Sequence, residues 1–441
     1  MSLVDLDRLQ QLLAEAEPLP VQGRVLRATG LVLEASLPRV AVGTPCEIHT
    51  GERTVAAEVV GFAGSTALLM ALGPMQGICE GCAVVPRRAG AELPVGEALL
   101  GRVVDASLRP VDGGPVPLLR GRVRIHAQPP HAMSRRRIAV PLATGVRAID
   151  GLLTVGEGQR VGILAGAGVG KSVLLGMLAR RADADVIVVG LVGERGREVR
   201  EFVERDLGEA GLRRSVVVVA TSDEPPLVRV RAAMAATAVA EHFRARGRRV
   251  LLLLDSLTRV AMAQREIGLA AGEPPTAKGY PPSVFALLPA LLERAGNDAG
   301  AGSITGLYTV LAEGDDLADP IVDAARSILD GHVALSRKLA GAGHFPAIDV
   351  LASVSRVMSD VVDADHLAVA RAARQILATH AEAADLIDVG AYVAGSNPAV
   401  DRAIERIGAV RAFLRQGPDE TAPLRETVEA LRRAVGEVRR G

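Results

Sequence analysis

The sequence predicts an α/β protein in three parts: a small N-terminal β-barrel over 1–95, a central domain over 96–365 on a mostly parallel sheet, and a C-terminal helical domain over 366–441. Three observations carry this. Between 23 and 94, short Val/Leu/Ala-rich segments alternate with turn signals at Leu37-Pro38, Val42-Gly43-Thr44-Pro45, Gly51, Gly61, Gly73-Pro74 and Gly81, with no helical period between them. From 160 onward, apolar segments alternate with helical patterns, as parallel strands covered on both faces require. Beyond 360 the texture becomes Ala/Arg/Glu/Leu helix, over 366–379, 398–415 and 423–439.

Taken in order, Leu6, Leu9, Leu12 and Leu13 share one face of a short amphipathic helix over 5–16, and the barrel follows. Residues 96–117, with Arg109-Pro110, Asp112-Gly113-Gly114 and Pro115, read as a turn-rich connection that 121–141 continues. Strands are expected at 160–164, 185–193, 215–221, 249–255, 303–312 and 331–336. Helices at 172–181, 197–206 and 227–246 separate the first four.

Hydrophobic residues make up 49% of the chain, ample for buried cores, yet no apolar run approaches the ~18 residues that span a bilayer. The N-terminus is acidic and lacks an apolar signal core, so any membrane association is expected to be peripheral. Formal net charge is zero, which removes a global basic field for nucleic acid or anionic lipid. Cys46, Cys79 and Cys82 form an odd set that suits a reducing cytoplasm. Cys79 and Cys82 are spaced as C-x-x-C but lack the second pair of a closed zinc site, and read as two small residues in a turn.

The run Ala165-Gly166-Ala167-Gly168-Val169-Gly170-Lys171-Ser172, followed by Val173, joins an apolar strand to an amphipathic helix, the context of a phosphate-binding loop. Glycines let backbone amides converge on anionic oxygens, and the helix N-terminus adds partial positive charge. Lys171 is placed to reach the outer phosphates of a nucleoside triphosphate, and Ser172 to ligate Mg2+. Lysine occurs only at 171, 278 and 338, against 48 arginines, so a compact ammonium here is a departure from the chain's habit. A planar guanidinium fits that position poorly. Ala165 replaces the glycine of the strict pattern, but the three later glycines remain.

Hydrolysis of a phosphoanhydride also needs a metal-shell carboxylate, a base for water and further positive charge. Strand 249–254 ends in Asp255, at the carboxyl edge of the sheet where ligands bind, and Asp255 suits the Mg2+ shell. The strand at 185–192 ends in Gly193-Glu194-Arg195-Gly196-Arg197-Glu198 at the same edge. Glu194 is the candidate general base, with Arg195 beside the phosphates. By local sequence alone, a helix cap for Asp255 and a solvated loop carboxylate for Glu194 stay open.

From Thr144 the chain resembles the ATPases of flagellar and virulence type III protein export, themselves similar to catalytic subunits of rotary ATP synthases. Besides the phosphate loop, the runs are Thr144-Gly145-Val146-Arg147-Ala148-Ile149-Asp150, Gly193-Glu194-Arg195-Gly196-Arg197-Glu198-Val199 and Asp255-Ser256-Leu257-Thr258-Arg259. Gly279-Tyr280-Pro281-Pro282-Ser283-Val284-Phe285, Glu313-Gly314-Asp315-Asp316 and Pro346 through Arg356 complete the set, covering about two thirds of the chain.

The resemblance implies a RecA-like ATPase core that binds ATP and Mg2+, with Glu194 as catalytic glutamate and Asp255 as magnesium-shell aspartate. It implies that Arg356 reaches the nucleotide of a neighbouring subunit, that Phe345 is the adenine platform, usually a tyrosine, and that Tyr392 forms the other side of the base pocket. Lys278 and Tyr280 then lie in a loop facing the central channel of a ring, braced by Pro274, Pro275, Pro281 and Pro282. A homohexamer follows, since one chain carries both Glu194 and Arg356. The implied partners are a stalk regulator, export substrates with their chaperones, and an export gate, placing the protein in the cytoplasm at the inner face of the membrane.

A proton-translocating rotary ATP synthase subunit is the first alternative, disfavoured because Gly196-Arg197-Glu198-Val199 and the Gly-Tyr-Pro-Pro-Ser-Val-Phe run are closer to export enzymes. An RNA-translocating hexameric ATPase is the second. It needs aromatic stacking platforms in the N-terminal domain, and Phe62 is the only aromatic residue before Phe202, so no nucleic-acid partner is expected. An inactive regulatory subunit would not need Lys171, Glu194, Asp255 and Arg356 together.

Overall fold

The computed structural model describes residues 22–87, 92–312 and 319–436, which form two compact units, one of residues 22–87 with 269–273 and the other of the remaining described residues. The helix expected at 5–16 and the Glu313-Gly314-Asp315-Asp316 run lie outside the described residues.

The first unit is a closed antiparallel barrel. In spatial order its strands are Gly23–Thr29, Val32–Ser36, Thr66–Ala71, Thr54–Ala63, Pro45–His49 and Ala83–Pro86. Side chains alternate along each strand, so Leu33, Ile48, Val59, Leu69 and Val84 fill the interior. Closure leaves no unpaired edge, which is how six short strands manage without a covering layer. Cys79 and Cys82 do sit in a turn, where the Cys82 amide donates to the Cys79 carbonyl and the free thiols are 3.2 Å apart.

The second unit is built on a nine-stranded sheet. Its main path runs Ile348–Ser355, Gly331–Leu335, Arg160–Ala165, Ser303–Leu311, Arg249–Asp255, Val186–Glu194, Ser215–Thr221 and Arg102–Val104, with Gly296–Asn297 paired off it. All neighbours on that path are parallel except Ile348–Ser355, which runs antiparallel to Gly331–Leu335. The central strands are buried almost throughout, as the continuous Val/Leu runs require.

Three readings need correction. The connection 96–117 contains Arg102–Val104, a sheet edge parallel to Ser215–Thr221; three residues between turn signals carry no visible period. Ile348–Ser355 was absent from the expected strands because its burial is irregular and it closes the other edge. The helix expected at 197–206 is Gly196–Glu201, then a π-helical turn Phe202–Leu207, then Gly208–Leu212. That turn packs against the phosphate-loop helix, and Asp206 accepts a hydrogen bond from Arg180 through its carbonyl.

Helices Ala364–Asp388, Pro398–Leu414 and Leu424–Val435 share one core with the sheet, where Phe413 and Leu431 meet Ile149 and Leu152. Gln416 ties the helices down: its Oε1 accepts from the Arg147 amide at 2.8 Å, and its Nε2 donates to the Gly145 carbonyl at 2.9 Å. The Thr144 to Asp150 run is itself a knot. The buried Asp150 carboxylate accepts from the Thr144 amide and hydroxyl and from the Gly145 amide, at 2.6 to 2.9 Å.

Candidate active site

The phosphate loop leaves the buried end of strand Arg160–Ala165 and enters helix Lys171–Arg181. Ala165 and Val169 are buried anchors, whereas Ala167, Gly168, Ser172 and Val173 are exposed at the mouth. Gly170 caps the helix at φ +88°, a left-handed conformation that a side chain disfavours, and a Cβ there would also touch the Phe345 ring. The first helical amides have no intrahelical acceptors, so the loop presents donors to an anion.

The sheet brings the other groups to the same edge. Asp255 ends its strand two positions from the loop strand and Glu194 three, each step about 4.8 Å. Lys171 spans that distance, with Nζ 2.5 Å from Asp255 Oδ1 and 3.4 Å from Glu194 Oε1. On the intervening strand, Thr309 Oγ1 donates to Asp255 Oδ1 at 2.6 Å, and Thr258 Oγ1 accepts from the Leu311 amide at 2.8 Å. Thr309 escapes sequence reading, because only the register places it behind a carboxylate.

Glu194 owes its aim to a bulge. Against the neighbouring strand, Val192 pairs with Ala220 and Glu194 with Thr221, so Gly193 is an extra residue. Gly193 has φ +73°, and a Cβ there would lie 2.9 Å from Arg259 Cβ.

Burial raises the Glu194 pKa to about 7, Lys171 opposes this, and Asp255 and Glu198 add to it. Its hydrogen bond with Glu198 holds the Glu198 carboxyl below the ordinary range. Glu198, in the first turn of the following helix, is therefore the proton-sharing neighbour that the sequence left unassigned. Burial works against the Lys171 charge, but Asp255 and Glu194 outweigh it and its pKa lies above the ordinary lysine value. The site holds a fully charged ammonium between two carboxylates, one of which takes up a proton near neutrality.

Other expected residues take different places. Arg195 is 78% exposed and pairs with Glu198 at 3.3 Å rather than standing among Lys171, Asp255 and Glu194. Phe345 lies with its ring against Gly170, and its carbonyl accepts from the Gln416 amide at 2.9 Å. Tyr392 uses its hydroxyl locally, its one proton shared between Asp401 Oδ1 at 2.9 Å and the Asn397 carbonyl at 3.0 Å. Tyr280 is held by Arg265 stacked over its ring at 5.4 Å, and Lys278 pairs with Asp319 at 3.5 Å.

Arg356 is exposed at the far end of the sheet. Its amide donates to the Asp330 carbonyl at 3.0 Å, and Asp330 binds Arg160, the first residue of the strand that delivers the phosphate loop from its other end. Six residues of extended chain, about 20 Å, separate the two ends.

Among the described residues no cluster of three or more His, Cys, Asp or Glu could hold a metal by itself. Mg2+ is commonly held by one or two carboxylates together with substrate phosphates, and the carboxylate of Asp255 and the exposed hydroxyl of Ser172 are oxygen donors of the type it takes. Among the described residues no helix is long and apolar enough to cross a membrane.

Comparison with known proteins gives three matches to family descriptions. Residues 145–355 match the nucleotide-binding domain of the ATP synthase alpha/beta family, 25–88 its beta-barrel domain, and 362–433 the T3SS EscN ATPase C-terminal domain. A flagellum-specific ATP synthase of Pseudomonas aeruginosa is 54% identical over 93% of this chain and 92% of its own. A type 3 secretion system ATPase of Sinorhizobium fredii is 52% identical over 92% and 91%. The assembled ATPase EscN of the enteropathogenic E. coli type III secretion system superposes with a TM-score of 0.90 at 43% identity, covering 94% of this chain and 100% of that chain. EscN in complex with its central stalk EscO superposes with a TM-score of 0.87.

Proposed function

The chain belongs to the flagellar and type III secretion ATPases of the ATP synthase alpha/beta family, and from that premise we propose how its residues hydrolyse ATP in protein export. The loop amides and Lys171 bind the outer phosphates and hold the γ-phosphoryl group in line. Ser172 and Asp255 would hold Mg2+, which would supply neutralisation of the negative charge on the phosphates. Glu194 accepts the proton of the attacking water as the water oxygen bonds to the γ-phosphorus and the bond to ADP breaks. Its raised pKa gives it the basicity to do so, and Glu198 shares the proton it holds. Phe345 stacks on adenine. Tyr392 closes the pocket only if its loop releases the hydroxyl, and Arg195 orients Glu198.

Arg356 carries the quaternary part of this reading. One chain holds it at the opposite end of the sheet from its own Lys171, so it serves the site of a second copy. A homohexamer, in which each interface joins the cradle of one copy to the Arg356 of the next, gives every site both parts. EscN has been solved as an assembled ATPase and in complex with its central stalk EscO, which supports an assembly with a stalk partner, and the 274–282 loop is the segment assigned to face that stalk in this reading. Export substrates, their chaperones and a gate at the inner face of the cytoplasmic membrane complete the proposal. Flagellar and secretion relatives match at 54% and 52%, so the reading is the step those systems share.

The test is ATP hydrolysis by the purified full chain as a function of its concentration, with mass followed by light scattering. Specific activity should rise as the ring assembles. Equal specific activity in monomer and oligomer would overturn the shared site.

A further inference from the structure

The turn Cys79-Glu80-Gly81-Cys82 leads into strand Ala83–Pro86, which closes the barrel against Gly23–Thr29. The Cys82 amide donates to the Cys79 carbonyl at 3.2 Å, and Gly81 supplies the left-handed φ of +84° at the third position. Such a turn brings its end Cα atoms within ~7 Å, a separation that a disulfide bridges. Hydrogen bonds fix the turn on the first strand: the Gly81 amide donates to the Val25 carbonyl at 2.8 Å, and the Val25 amide to the Cys82 carbonyl at 2.9 Å.

Both thiols are free, and their sulfurs are 3.2 Å apart. Closing that gap to a bond of about 2.0 Å takes little more than side-chain rotation. The Cys79 amide also donates to Cys82 Sγ at 3.3 Å, which holds the second sulfur beside the first. Exposure separates the two: Cys79 lies at the surface, whereas Cys82 is 7% exposed. An accessible sulfur next to a shielded one is the arrangement of an attacking and a resolving thiol. Cys46, the remaining cysteine, is a built-in contrast. It is 2% exposed in strand Pro45–His49, and burial pushes its thiol up to about 11.

We propose that Cys79 and Cys82 form a dithiol modification site that exchanges with small disulfides of the oxidised-glutathione class and bridges the turn reversibly. The Cys79 thiolate attacks one sulfur of the small disulfide, forming a mixed disulfide and expelling one thiolate. The Cys82 thiolate then attacks Cys79 Sγ and expels the second. The two departing thiolates take up the two protons, so one small disulfide is reduced as two protein thiols are oxidised. In a reducing compartment such a bridge is transient, forming when small disulfides accumulate. The proposal does not depend on the ATP reading, because the barrel belongs to a different unit from Lys171, Glu194 and Asp255.

The test treats the full chain with oxidised and reduced glutathione at about pH 8.5, because the hydrogen bond with Cys82 raises the Cys79 pKa and slows exchange nearer neutrality. After acid quench and alkylation, mass mapping should show a 79–82 bridge, two hydrogens lost, no retained glutathione and Cys46 still reduced. Dithiothreitol should reverse it. Cys82→Ser should instead keep one glutathione on Cys79, and Cys79→Ser should react at least tenfold more slowly than the wild type. The equilibrium constant for bridging against glutathione should be at least tenfold higher in the folded chain than in guanidinium, since only the folded turn holds the sulfurs together. That comparison uses the wild-type chain, so it decides the matter even where Cys82→Ser does not fold. Equal constants in folded and unfolded chain, glutathione retained on wild-type Cys79, or a bridge through Cys46 would overturn the site.

Discussion

Lys171 Nζ lies 2.5 Å from Asp255 Oδ1 and 3.4 Å from Glu194 Oε1, so one ammonium pairs with two carboxylates from different strands. The side chains of Lys171 and Asp255 are 14% and 6% exposed, and removing one member of such a pair leaves a buried charge uncompensated. Lys171→Ala should lower turnover by at least ~10²-fold, the order lost with one preorganised donor at a transition state, and should weaken nucleotide binding as well. Phosphate release and fluorescent-nucleotide titration check both. Equal nucleotide affinity in the variant would contradict the phosphate role.

Glu194→Gln should separate binding from chemistry. The amide keeps the shape but cannot take a proton, so ATP affinity should change little while hydrolysis falls by about 10²- to 10⁴-fold. Parallel loss of binding would move Glu194 from base to ligand contact.

The raised pKa of Glu194, about 7, sets the acid limb of the rate profile. A base works deprotonated, so the active fraction in the free enzyme falls as pH drops through that value. kcat/KM, which reports the free enzyme, should fall about tenfold per pH unit well below 7 and level off above 8. A profile flat between pH 5.5 and 8 would rule out Glu194 as the titrating base.

Arg356→Ala and Glu194→Gln chains should each be inactive yet rescue one another when mixed. In a random 1:1 ring, about a quarter of interfaces join an intact cradle to an intact arginine, so activity near a quarter of wild type is expected. No recovery in mixed rings whose composition is verified by mass would count against a finger supplied in trans.

Phe345→Ala should raise the ATP dissociation constant about tenfold, the order of one base–aromatic stack, whereas Phe345→Tyr should be nearly neutral. Competition by inorganic triphosphate, which has no base, should be unaffected. A matching loss for triphosphate would show that the ring supports the loop at Gly170 instead.

Gly193→Ala tests the bulge that aims Glu194. The left-handed φ alone costs about 1–2 kcal/mol, and the Arg259 contact adds to it. The variant should melt several degrees lower and lose most of its hydrolysis, read by calorimetry and phosphate release. Full activity at the lowered melting point would free Glu194 from dependence on the bulge.

By itself the sequence determined the alternation of buried strands with helices, the phosphate loop at Ala165 to Ser172 and the strand ends that carry Glu194 and Asp255, because periodicity and glycine spacing are local properties. Tertiary structure alone decided the rest. Arg102–Val104 becomes a sheet edge only because Ser215–Thr221 lies beside it, and Thr309 meets Asp255 only through the register of two strands 54 positions apart in sequence. Lys171 finds both carboxylates, Arg195 turns to Glu198, Tyr392 stays in its own loop and Arg356 faces away from its own nucleotide loop for the same reason. Spacing along the chain sets which strand end a residue occupies, but distance across a sheet depends on strand order, which no local pattern encodes.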